Sequence, residues 1–169
     1  MTPDVDGFRT AMGLRAAGVT VVTTRDREGQ PRGLTATAVC SVSLTPPLIL
    51  FCIDRDADCY GAFLESEVFA VNILREDQEG LSRRFASQSA RKFEGVPHRL
   101  GATGSPILAG VLAHVECRVR ARYPGGDHTI FLGEVVGTGI GPLDDAASPL
   151  LHFRGGYVRL ENCLPAQPS

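Results

Sequence analysis

Residues Gly33 to Ile53 read GLTATAVCSVSLTPPLILFCI. The first half is built from small and hydroxylated residues: Thr35, Ala36, Thr37, Ala38, Cys40, Ser41 and Ser43. After Pro46 and Pro47 it turns apolar through Leu48 to Ile53. A run with no bulky side chains lets main-chain N–H groups and hydroxyls close around a flat or phosphorylated ligand. The same run also suits a strand that another strand or subunit crosses closely. Composition leaves both readings open.

Working outward, Val19 to Thr24 (VTVVTT) is rich in β-branched residues and reads as a strand, and the polar segment Arg25 to Arg32 reads as a hairpin connection. The Gly33–Ile53 stretch is then the returning strand. Ahead of it, Thr2 and Pro3 open a helix in which Val5, Phe8 and Met12 recur at helical spacing up to Gly18, expected to lie against the sheet. Behind it, DRDADCYGAF leads into a short helix through Glu65, then a strand from Val68 to Leu74 and a helix from Arg75 to Ser87. Gln88 to Pro106 reads as a long polar loop carrying Arg91, Lys92 and Phe93.

Leu112 to Tyr123 alternates cleanly. Val115, Cys117, Val119, Ala121 and Tyr123 are set against His114, Glu116, Arg118, Arg120 and Arg122, which predicts one buried and one wet face. Pro124 to Asp127 turns the chain into a second long strand, His128 to Val136. Leu150–Phe153 and Tyr157–Leu160, parted by Gly155 and Gly156, close the fold, and Asn162 to Ser169 reads as a frayed tail. Strands outnumber helices and regular βαβ alternation is missing, so the expected class is mainly β (α+β), an antiparallel barrel with flanking helices.

With 169 residues, 43% hydrophobic and 21% charged, the chain fits a single domain whose core spans about 7–160. A net charge of -2 gives no basic surplus for a nucleic-acid backbone. No apolar run approaches the roughly 20 residues that span a bilayer, and MTPDVDGFRT carries acid where a signal peptide carries lysine or arginine, so a cytoplasmic location is expected. The cysteines Cys40, Cys52, Cys59, Cys117 and Cys163 form no C-x-x-C and lie near no histidine at ligand spacing, so no metal site is expected. They read as reduced, mostly buried thiols, Cys40 included. The glycines Gly137, Gly139 and Gly141 lead toward Pro142 rather than into a helix, so no G-x-G-x-x-G dinucleotide turn is present.

GVTVVTT, GLTATAVCSVSLTPPLILFCI, FAVNILREDQEGLSRRFA, RKFEGV, AHVECRVRARYPGGDHTIFLGEV and the late RGGY occur in this order from about Gly7 to Leu160. Together they resemble the short-chain flavin reductases, the small reductase components of two-component flavin monooxygenases, and most of all those of aromatic-polyketide antibiotic pathways. The resemblance implies an FMN-binding split barrel, a homodimer with its flavin cleft near the subunit interface, FMN or FAD as flavin, and NADH or NADPH as hydride donor. It also implies a separate monooxygenase that receives diffusible reduced flavin.

Carried over residue by residue, Thr35, Thr37, Ala38, Val39, Cys40, Ser41 and Ser43 become the flavin-contacting run. Arg91, Lys92 and Phe93 fall on a basic-aromatic segment near the flavin phosphate or its dimer-related neighbour, Gly126, Asp127 and His128 match a motif associated with the nicotinamide nucleotide, and Tyr157 matches a late aromatic at the same cleft. His128 is expected to position the nicotinamide, with no dedicated acid or base. Each position also has an ordinary reading: Asp127 and His128 as turn residues, Arg91 and Lys92 as a solvated pair, Tyr157 as a packing aromatic. Two other functions fit the same sequence: a split-barrel flavoprotein with tightly bound FMN and its own substrate, and a non-catalytic flavin-binding protein.

Overall fold

The computed structural model describes residues 4–142 and 147–160. Helix α1, Val5–Gly13, is capped by Asp4, whose carboxylate accepts from Gly7 N at 2.9 Å. Thr2 and Pro3, the expected start, lie outside the described residues, as do Cys163 and the 162–169 tail. None of the α1 residues is buried; Val5, Phe8 and Met12 stand exposed. The expected packing of this helix on the sheet is therefore corrected: its apolar face has helical spacing but is not buried against any of the described residues.

Strands β1 (Ala17–Gly18), β2 (Thr20–Arg25), β3 (Pro31–Ala36), β4 (Val39–Leu44) and β5 (Pro47–Asp54) follow, then helix α2 (Tyr60–Glu65) and β6 (Val68–Ile73). A 3₁₀ turn at Glu76–Gln78 runs into α3 (Glu79–Ala86), and the remaining strands are β7 (His98–Leu100), β8 (Pro106–Leu108), β9 (Ala113–Gly125), β10 (His128–Ile140), β11 (Leu151–Phe153) and β12 (Gly156–Val158). Gly33–Ile53, expected as one returning strand with an apolar end, is instead cut into three: Thr37 and Ala38 part β3 from β4, and Thr45 and the cis-linked Pro46 turn β4 directly onto β5.

Seven strands pair antiparallel in the order β3-β2-β6-β9-β10-β5-β4. The two outermost, β3 and β4, are joined in sequence by Thr37 and Ala38 alone. The sheet must therefore curl until its edges meet, and the chain closes the barrel covalently where the ladder does not. Ala38 O accepts from Cys52 N at 3.1 Å on one side of this seam, and Ala36 O accepts from Thr20 Oγ1 at 2.8 Å on the other. The split antiparallel barrel is the expected class.

Inside the barrel Phe51, Phe63, Phe69 and Phe131 pack with Val22, Ile53, Val71 and Cys117. Phe51 and Phe131 stack at 5.0 Å between ring centroids, and Phe63 meets Phe51 edge-on at 5.5 Å. Burying each ring contributes about 1.5–3 kcal/mol, and such aromatic pairs add about 0.5–1.5 kcal/mol. A second core outside the barrel gathers Val19, Val21, Leu74, Phe85, Leu108, Val111 and Leu150. β2 lies between the two cores, with Val22 in one and Val21 in the other, which is why its sequence is continuously apolar or β-branched and does not alternate.

The long loop expected over 88–106 is interrupted by the β7–β8 hairpin, held to the barrel by buried Asn72, whose Oδ1 accepts from Leu108 N at 2.9 Å. β9 also departs from simple alternation. Glu116, expected on the wet face, is buried because its carboxylate accepts from Ala102 N, Thr103 N and Thr103 Oγ1 at 3.2, 2.8 and 2.8 Å. The β9–β10 ladder shifts register between Leu132 and Gly133 and again between Val135 and Gly137, so a period of two cannot hold along its full length. β1, β11 and β12 form a separate three-stranded sheet.

Candidate functional site

Thr35 on β3, Thr37 at the seam, Ser82 on α3, His152 on β11 and Tyr157 on β12 line one cavity of about 240 Å³, with Val19 and Ala86 as its apolar walls. Thr35 Oγ1 donates to Ser82 O at 2.6 Å, and the Ser82 hydroxyl meets the Tyr157 hydroxyl at 2.8 Å. His152 sits edge-on to the Tyr157 ring at 5.8 Å, directly opposite it in the β11–β12 ladder, while Arg83 covers that ring at 4.9 Å. Tyr157 is thus held by a hydroxyl, an imidazole and a guanidinium. A small space with apolar walls, aromatic sides and several hydroxyls fits part of a planar heteroaromatic ring.

The rest of the flavin-associated run continues onto β4. Ala38, Cys40 and Ser41 are exposed and Val39 and Ser43 half-buried. β4 pairs with β5 on one side only, so its outer edge presents main-chain donors and acceptors to whatever lies against it. Cys40 was expected to be a packed thiol; it is exposed on this edge, with Sγ 3.1 Å from Ser41 O. Cys59 and Cys117 are buried, and burial pushes their thiols up to about 11 and about 12.

Arg91, Lys92 and Phe93 have three separate fates. Arg91 is exposed. Lys92 is 6% exposed, and its Nζ sits 2.7 Å from Asp58 Oδ1 and 3.4 Å from Gly33 O, beside a cavity of about 60 Å³ that Arg32 and Ser89 also line. Phe93 meets Phe85 edge-on at 4.9 Å and belongs to the outer core.

Gly126 and Asp127 form the two-residue β9–β10 turn, with φ of 71° at Gly126, a value that favours glycine in the first central position of a hairpin turn. His128 Nδ1 lies 2.7 Å from Asp127 Oδ1, and both side chains reach solvent. The bond from His128, followed by its charge, holds the Asp127 carboxyl below its usual value. These residues do not line the Thr35–Tyr157 cavity. The fold therefore brings together Thr35, Thr37 and Tyr157, while Gly126–His128 stands at the tip of a hairpin. Ser82, His152 and Asp58 were missed in the sequence. Ser82 and His152 sit within quoted or neighbouring segments, but nothing local distinguishes them from a helix serine and a strand histidine.

A split antiparallel barrel whose hydroxyl-lined cavity abuts its open seam defines a class of flavin-associated proteins. The family of the Flavin reductase like domain matches residues 12–161, and the chain belongs to it. A flavin reductase (NADH) of Kitasatospora aureofaciens is 47% identical, over 92% of this chain and 82% of its own length. The actinorhodin polyketide dimerase of Streptomyces coelicolor is 47% identical over 100% of this chain and 94% of its own. Among solved structures, an NADH:FAD oxidoreductase of Streptomyces globisporus, in complex with NAD and FAD fragments, aligns with a TM-score of 0.84 at 38% identity, covering 98% of this chain and 96% of its own.

Proposed function

We propose that this chain is an NADH-dependent flavin reductase that supplies reduced flavin to a separate flavin-dependent monooxygenase. The observation that carries the reading is the meeting of Thr35, Thr37 and Tyr157, from opposite ends of a chain of this family, around one cavity at the barrel seam. The likeness to relatives named as NADH-dependent flavin and FAD reductases supports NADH as donor and FAD among the flavins accepted, with FMN the other. A relative that is the reductase subunit of a flavin-dependent monooxygenase in Rhodococcus jostii, 38% identical over 91% of this chain, supports the oxygenase partner.

When both nucleotides are bound, the chemistry they supply is transfer of a hydride from nicotinamide C4 to flavin N5 across stacked rings. The protein's share is position and charge. In this reading Thr35, Thr37, Ala38, Val39, Cys40, Ser41 and Ser43 bond the flavin ring edge with Tyr157 at the same cavity, the exposed Arg91 meets phosphate, and Gly126, Asp127 and His128, at the hairpin tip, receive the nicotinamide nucleotide. Lys92, already paired with Asp58, braces the wall behind the phosphate, and Phe93 anchors that wall to the core.

A homodimer completes the cleft. Exposed Leu44 at the end of edge strand β4, 91% accessible, and Ile140 at the end of β10, 74% accessible, support apolar subunit contacts. Among the described residues no helix is long and apolar enough to cross a membrane. Purified protein should oxidise NADH only when free flavin is added, through many turnovers per protein. A fixed yellow protein indifferent to added flavin favours the tightly bound flavoprotein, and binding without NADH oxidation favours the non-catalytic one. Sedimentation of Leu44→Asp should show monomer where the unaltered chain shows dimer; an unchanged dimer would place the contact elsewhere.

A further inference from the structure

Of the four hydroxyls that line the 240 Å³ cavity, those of Thr35, Ser82 and Tyr157 have protons that bonds in the structure place, while Thr37 makes no side-chain bond among the described residues and can donate or accept. Thr35 Oγ1 gives its proton to Ser82 O at 2.6 Å, so toward a ligand it keeps only lone pairs. Ser82 and Tyr157 hold two protons between their hydroxyls, and one of them makes their mutual 2.8 Å bond. The other proton has no protein acceptor among the described residues. The cavity wall thus presents an acceptor at Thr35 beside a donor at the Ser82–Tyr157 pair.

We propose that this acceptor–donor pair reads an amide edge, an N–H beside a C=O, with Thr35 taking the N–H and the Ser82–Tyr157 pair giving its free proton to the carbonyl. Ser82 thereby becomes a positioning residue: it is fully buried, it consumes the Thr35 proton through its carbonyl, and it orients the Tyr157 hydroxyl through its own. The inference rests on reading this cavity as part of the flavin and nicotinamide site. Two ligands carry such an edge, the pyrimidine side of the flavin ring and the carboxamide of the nicotinamide.

Binding measurements separate the two sources without using turnover. Fluorescence quenching compares riboflavin with 3-methylriboflavin, whose ring N–H is gone, and calorimetry compares NAD with its nicotinic-acid counterpart, whose carboxamide is gone. The unaltered protein should prefer the parent compound by about tenfold in one arm, the loss expected when a buried acceptor has no donor. Thr35→Val, of nearly the same shape, should erase that preference, whereas Ser82→Ala should weaken the parent and the altered compound alike.

A preference in the first arm assigns the edge to flavin, and one in the second assigns it to nicotinamide. No preference in either arm, or one that Thr35→Val leaves intact, overturns the proposal. Should Thr35→Val fail to fold, the two comparisons on unaltered protein still decide it. Flavin-stimulated NADH oxidation by the same preparation separates the two failures: activity without preference removes this inference alone, and its absence removes the reductase reading.

Discussion

Lys92 Nζ lies 2.7 Å from Asp58 Oδ1, with the lysine side chain 6% exposed and the aspartate 27%. This pair ties the segment after α3 to the segment before α2. Removing the carboxylate would strand a buried ammonium, which costs about 3 kcal/mol in such settings. Asp58→Ala should therefore lower the free energy of unfolding in urea by about that amount. The double change Asp58→Leu with Lys92→Met should recover most of it, since no charge then remains buried. Equal loss in the single and double variants would show that the pair contributes through shape alone.

Stability should fall toward acid in two stages. His114 is held below its ordinary value of 6.5 by burial and then by the Arg99 guanidinium, so it stays neutral in the fold and its contribution fades as pH drops below about 6.5. Burial alone would raise the Glu116 carboxyl, but the bonds from Thr103 and Ala102 together outweigh it and hold it below 4.5. Its contribution is fully present above about pH 4.5 and is lost as pH falls through the lower folded value. Thermal melts from pH 7 to 3 should show both stages. Glu116→Gln should flatten the lower one and deepen the upper, because the Glu116 charge that partly raises His114 is then gone.

Native thiol chemistry should be selective. Cys40 is exposed on the β4 edge, whereas Cys59 and Cys117 are buried and their thiols are pushed up to about 11 and about 12. Brief iodoacetamide treatment followed by peptide mapping should find Cys40 modified and Cys59 and Cys117 intact until the protein unfolds. Saturating FMN or FAD should slow the Cys40 reaction several-fold. Equal rates with and without flavin would remove β4 from the flavin contact.

His128→Ala should raise the KM for NADH by about fivefold, the worth of one hydrogen bond, with little change in the KM for flavin. The variant should fold normally, because the side chain stands at an exposed turn and bonds only its neighbour Asp127 at 2.7 Å. A larger rise in the flavin KM would move His128 to the other ligand.

Local order is legible in the sequence. Val19–Thr24, the alternation from Leu112 to Tyr123 and the Pro124–Asp127 turn each depend on neighbours within a few residues; the first two became strands, and the turn formed two residues later, at Gly126–Asp127, with Pro124 and Gly125 kept in the β9 ladder. Where the sequence misled, the competing interaction came from far away. Glu116 has the pattern of an exposed residue, yet the 102–103 backbone dries it; Cys40 has the pattern of a packed thiol, yet β4 is an edge. α1 has an apolar face that no surface among the described residues covers.

The amino-acid sequence by itself determined the mainly β class, the hairpin connections, the family, and the small hydroxylated run at its centre, because propensity, turn chemistry and motif order are properties of short segments. Tertiary structure alone decided that β3 and β4 lie at opposite edges of one sheet, that Ser82 and His152 join Thr35 and Tyr157, and that Lys92 is spent on Asp58. Those outcomes depend on which strand pairs with which and on how far the sheet curls. Pairing is settled by burying two cores at once, and no segment encodes that by itself.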